Sequence, residues 1–167
     1  MASTTSPSLP LLRPVLGLVG WTFAMEAWMY QTRIPAINRY NVQVRPEGTV
    51  ADMNAKLPAV VRWKADNYNH LHEAPLRFYV VALTHSLLFL LQQQQQSGAF
   101  ATKDFFSSSE QSMDTELALA WMYVGLRVVH SLVQALTNRV MVRFGVYLAS
   151  EVVMLGLFIR VVSYALV

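Results

Sequence analysis

Arg143 and Tyr147 stand four residues apart, as do His130 and Gln134, and as do Glu73 and Arg77 with His70 one turn upstream of Glu73. Side chains at that spacing share one face of a helix. The set combines guanidiniums, imidazoles, a carboxylate and a phenol, and its excess of cations suits an anionic ligand. Glu73 and Arg77 can equally satisfy each other with no ligand at all. Arg127 and Glu151 form a further pair, either a structural ion pair or, with His130 and His85, part of a proton or ion path. His85 otherwise reads as a packed residue hydrogen-bonded to a neighbouring helix. Metal chemistry is not expected. His70 and His72 are two residues apart and project in different directions, which makes a poor ligand pair. The chain has no cysteine, which removes disulfides, thiolate metal sites and a cysteine nucleophile. Neither a nucleophile elbow nor a glycine-rich phosphate loop is present.

These residues need elements to carry them, and the composition says which kind. Of 167 residues, 54% are hydrophobic and 14% charged, against roughly 25% charged in a soluble domain. Thirteen Lys and Arg against ten Asp and Glu leave too little basic excess for a nucleic-acid partner. Four apolar stretches predict helices at about 11–31, 60–91, 117–136 and 140–165, and a membrane span takes about 20 residues. Val152–Ile159 is apolar all round, unlike a helix of a soluble bundle. The expected fold is all-α: an integral membrane four-helix bundle of antiparallel up-down topology, forming one domain over 1–167. Pro75 falls at a kink within the second helix. Residues 32–59 read as a polar loop, 92–116 as a glutamine- and serine-rich linker, and Thr137–Arg139 as a tight turn.

Charge sets the expected orientation. Arg33, Arg39, Arg45, Lys56, Arg62 and Lys64 of the first loop join Arg139 and Arg143 on one side, while the other side holds Arg13, Lys103 and Arg160 among Asp104, Glu110, Asp114 and Glu116. The positive side belongs in the cytosol or matrix, so both termini and the 92–116 linker lie on the lumenal or outer side. Counting 1.5 Å per residue puts Glu26, His70, Glu73, Arg77, His130, Gln134, Arg143 and Tyr147 at the positive side, with Arg127 and Glu151 near the midplane. Arg160 reads as a side chain snorkelling to the outer interface. The opening MASTTSPSLPLLRP is rich in Ser and Thr and lacks acids, as organelle transit peptides do. An endoplasmic reticulum or mitochondrial membrane is the expected location.

The basic first loop, the DNYNHLHEAPLRFY segment and above all RVVHSLVQALTNRVMVRFGVY (Arg127 to Tyr147) make the chain resemble the MAPEG proteins, membrane-associated proteins in eicosanoid and glutathione metabolism. The likeness runs from about Pro14 to Tyr164, and the order of Arg127, His130, Arg139, Arg143 and Tyr147 is similar to the prostaglandin synthase branch. The resemblance implies a homotrimer that binds glutathione between subunits near the cytosolic face. By position, Arg143 takes a carboxylate or the thiolate and Tyr147 donates to the ligand, so these two are the candidate catalytic residues. Glu73 takes the amine, and His70, Arg77 and His130 complete the cofactor-binding set. Carboxylates suit arginine forks, and a donor near the sulfur favours thiolate.

The chain also departs from the family pattern. Asp66 stands where the family usually has a helix-two arginine, with Arg62 and Lys64 as approximate substitutes. His70 replaces an asparagine, Gln134 a common tyrosine, and Phe144 a serine of the prostaglandin branch; Pro75 is closer to Glu73 than the usual proline. Two functions follow as expectations: a glutathione-dependent transferase or peroxidase acting on lipophilic electrophiles, or a non-catalytic scaffold or accessory subunit of a larger membrane complex, for instance mitochondrial. Membrane lipids are partners in either case.

Overall fold

A computed structural model of the chain describes residues 9–43, 46–96 and 103–166, with side chains at all of these except 95–96 and 103–112. Arg45, the Ser/Thr-rich residues 1–8, and the side chains of Lys103, Asp104 and Glu110 fall outside it. Six helices follow one another: α1 (Leu12–Arg39), α2 (Val50–Ala55), α3 (Ala59–Glu73), α4 (Leu76–Gln96), α5 (Lys103–Leu136) and α6 (Val140–Ala165). No strand occurs among the described residues. Among the described residues, three spans are long and apolar enough to cross a membrane: Ala59–Gln94, Met113–Leu136 and Val140–Ala165. Helix α1 has the length, at 28 residues, but Arg13, Glu26 and Arg33 interrupt its apolar sequence.

The polar loop expected at 32–59 is largely helical. Helix α1 continues through Pro35 to Arg39, because its last turns have a core of their own. Ala36 is buried with Val42 and Leu57, packed by Ile37, Met53 and Val61. Arg33 also donates to Asn54 Oδ1 at 2.7 Å. Asn41 then takes φ 47°, and Val42 N–H reaches back to Ile37 O, a left-handed helix ending. A capping box starts α2, with Thr49 and Asp52 each capping the other's backbone N–H. The linker expected at 92–116 is likewise mostly helix, since α4 runs to Gln96 and α5 begins at Lys103. Glutamine is a good helix former, and no glycine or proline stands between Gly98 and Gly125.

The break between α3 and α4 falls at Ala74–Pro75, where proline has no N–H for the helical ladder. Both halves still make one 36-residue span. Helices α5 and α6 fold back on each other through Thr137–Arg139. Asn138 there has φ 46°, and its N–H bonds Val133 O at 2.7 Å. The main core gathers Leu18 from α1, Phe78 and Ala82 from α4, Ala120 and Tyr123 from α5, and Leu157 from α6. A smaller core joins Met25, Leu71 and Ala135, and so seats α3 between α1 and α5. Helix α1 packs against α5 at Gly17, where a Cβ would meet the Trp121 ring at 3.2 Å.

Candidate functional site

Polar side chains of α3, α5 and α6 converge at the end of the bundle that carries the α5–α6 turn. They line a pocket of about 450 Å³ with Asp66, Asn69, His70, Glu73, His130, Gln134, Val140, Arg143, Phe144 and Tyr147. The His70 ring lies 4.8 Å from that of His130 and 5.6 Å from that of Tyr147. Asn138 aims Arg143, accepting from its Nη1 at 2.8 Å, so the residue that turns the chain also orients the cation. Glu73, the last residue of α3, is exposed at the mouth. Five of the residues expected at the site, His70, Glu73, His130, Arg143 and Tyr147, thus share one pocket.

Arg77 does not line this pocket, but its side chain hydrogen-bonds Tyr147, which does. It also pairs with Glu151 at 2.8 Å. With Glu151 it opens a second cavity of about 640 Å³, otherwise lined by Leu76, Val80, Val81, Met154, Leu155 and Phe158. This groove between α4 and α6 is almost wholly apolar. Glu26 also misses the pocket, and sits beside Tyr68 on another face of α3.

Arg127 stands between the two cavities. It is 1% exposed, and a charge so far from water needs partners on every side. Its Nη2 donates to Glu151 Oε1 at 2.6 Å and its Nε to the Tyr123 hydroxyl at 2.9 Å. Its Nη1 lies 3.5 Å from His70 Nε2. The guanidinium also covers the Tyr123 and Tyr147 rings at about 5 Å, within cation–π range. Glu151 is therefore one carboxylate between two arginines, and the seam between pocket and groove keeps a net positive charge.

A second polar cluster lies toward the far ends of the same helices, where the sequence predicts only a lone histidine and a snorkelling arginine. His85 Nε2 is 2.7 Å from Glu116 Oε2, and both side chains are 2% exposed or less. Arg160 Nε approaches the other oxygen of Glu116 at 3.4 Å, a partner that the sequence does not predict. Among the described residues no group of three or more His, Asp or Glu is arranged to hold a metal ion.

Comparison with known proteins gives one family. No curated protein and no solved structure matches the chain. The MAPEG family matches at residues 11–99 and 109–163, which takes in α1 to α4 and most of α5 and α6. On that match the chain belongs to the MAPEG family.

Proposed function

We propose that the chain is a glutathione-linked transferase or peroxidase acting on lipophilic electrophiles. The observation that carries this reading is a charged pocket beside an apolar groove, with Arg127, Glu151 and Arg77 linking their walls. A water-soluble thiol and a membrane-soluble electrophile need neighbouring sites of these two kinds. The donor set fits glutathione. The guanidinium of Arg143 takes a carboxylate, the Glu73 carboxylate takes the ammonium, and the Tyr147 hydroxyl donates toward the sulfur. His70 and His130 close the pocket wall beneath. Glutathione supplies a thiol whose thiolate is the nucleophile. The Tyr147 hydroxyl holds that negative charge, and Arg77 at the groove's lip faces whatever arrives from lipid.

In this reading α1 joins the three apolar spans as a fourth crossing. The bundle is then antiparallel and up-down, its basic end faces cytosol or matrix, and both termini lie on the lumenal or outer side. The assembly is a homotrimer in an endoplasmic reticulum or mitochondrial membrane. The test is calorimetric titration of reduced glutathione into the protein in nanodiscs, wild type and Arg143→Ala. Saturable binding weakened about tenfold or more in the variant, the scale of a charge-assisted hydrogen bond, supports the reading. Absence of binding to homogeneous wild type overturns it.

One observation favours a second reading, a non-catalytic scaffold or accessory subunit. The pocket lining holds two carboxylates, Asp66 and Glu73, for one guanidinium, Arg143, a poorer balance for a ligand with two carboxylates. A partner that co-purifies in mild detergent, with no glutathione bound, is the result this reading expects. A free homotrimer counts against it.

A further inference from the structure

Arg127 and Arg77 share the Glu151 carboxylate, and each also reaches a neutral side chain of the pocket wall. Arg127 Nη1 lies 3.5 Å from His70 Nε2, and the Arg77 side chain is hydrogen-bonded to Tyr147. A guanidinium only donates, so both contacts have a fixed direction. A proton on His70 Nε2 would set two N–H groups against each other. Nε2 therefore offers its lone pair, and the ring carries its proton on Nδ1. In the same way the Tyr147 oxygen accepts from Arg77, and its O–H is left to give. Among the described residues nothing takes the Nδ1 proton of His70, whereas Nδ1 of His72 on the same helix meets the Tyr68 carbonyl at 2.9 Å. His70 Nδ1 is not one of the buried atoms that lack a partner, so a molecule in the pocket can reach it.

Two neutral groups thus line one pocket, each made a donor by the arginine behind it, and their rings lie 5.6 Å apart. That is close enough for both donors to meet on one ligand atom. Donors fixed before a ligand arrives suit an atom with negative charge and no proton, because nothing has to reorient to meet it. We propose that His70 is a second catalytic donor, through Nδ1–H, to the thiolate that Tyr147 holds, with Arg127 and Arg77 as the positioning residues that fix the two donors. This deepens the glutathione reading and rests on it. Glutathione enters as the thiol, its sulfur proton leaves to water, and the sulfur accepts from one N–H and one O–H. The His130 ring lies against that of His70 at 4.8 Å and limits its rotation. Arg143 and Glu73 remain for the charged ends of the tripeptide.

The experiment uses the full chain in nanodiscs. With nitrogen-15-labelled histidine and no ligand, the His70 resonances, identified by their loss in His70→Phe, are expected to show a protonated Nδ1 and a bare Nε2. A proton on Nε2 overturns the proposal. Reduced glutathione and its analogue with a methyl in place of the thiol are then titrated at one pH, at which free glutathione is mostly thiol. Wild type is expected to prefer glutathione. His70→Phe is expected to cut that preference about tenfold, the scale of a hydrogen bond to a charged atom, and to leave the analogue's affinity little changed. Arg77→Met cuts the preference severalfold, and Arg77→Lys, which still donates, restores it. His70→Leu replaces the phenylalanine variant if that one is not monodisperse and helical. If the substitution weakens both probes alike, His70 holds a carboxylate or only shapes the wall; if it weakens neither, His70 holds nothing. Either result ends the proposal and leaves the glutathione reading standing. If wild type binds neither probe, both fall.

Discussion

At Glu151 two guanidiniums share one carboxylate, and they do not hold equal stakes in it. Arg127 is buried, whereas the Arg77 side chain is 60% exposed. Removing the carboxylate strands the buried cation, and breaking a buried pair costs about 3–5 kcal/mol. Removing an exposed partner costs about 1 kcal/mol or less. Glu151→Gln is therefore expected to lower the unfolding free energy in detergent severalfold more than Arg77→Ala, as read by denaturant titration of both. Equal losses would mean that Arg127 finds its compensation in Tyr123, Tyr147 and His70 instead. Spacing and depth alone made Arg127 and Glu151 legible as partners in the sequence, because each sits inside an uninterrupted helix. The link from Arg77 to Glu151 was not legible, since the two sit on helices whose packing against each other the spacing does not give.

Among the elements, the α5–α6 turn does two jobs through one residue. Asn138 holds φ 46° and accepts from Arg143. Asn138→Gly tolerates the backbone and loses only the side-chain bond, whereas Asn138→Val adds a left-handed strain of about 1–2 kcal/mol. Thermal unfolding is expected to separate the two, and a glycine variant as unstable as the valine one would contradict the turn's role. Helix α2 gives a pH dependence. The Thr49 hydroxyl and backbone N–H hold the Asp52 carboxyl below its ordinary range. Its folded pKa is thus depressed, so the capping contribution is complete above the ordinary carboxylate pKa and fades as pH falls through the lowered one. A fall in the protection factors of the α2 amides in acid, relative to the intrinsic exchange rate at each pH and absent in Asp52→Asn, is the expected sign. The long helices were readable because apolar runs of span length have few other meanings. The extension of α1 to Arg39 was not, since it depends on contacts of Ala36 with Val42 and Leu57 that arrive from across a loop. The helical start of α5 was not either, because serine and glutamine runs look alike in linkers and in solvated helices, and with it went the burial of Glu116.

Over the whole molecule, the two charged clusters share α4, α5 and α6 without meeting. Between them lie Phe78 and Ala82, Ala120, and Leu157, each with no exposure at all. A proton or ion path through Arg127, Glu151, His130 and His85 has no polar step across that layer. Liposomes holding the protein are accordingly expected to leak protons no faster than empty ones, and flux abolished by Glu151→Gln would revive the path. The groove has a different consequence. Its walls are mostly hydrocarbon, its rim residues Leu76, Val80, Leu155 and Phe158 are exposed, and in the proposed reading that rim faces acyl chains. A reagent entering there has left water before the protein meets it. Its governing concentration is then a mole fraction in the membrane, set by its partitioning. Diluting the bilayer with inert lipid lowers occupancy, while adding buffer at fixed lipid scarcely changes it for a strongly partitioning reagent.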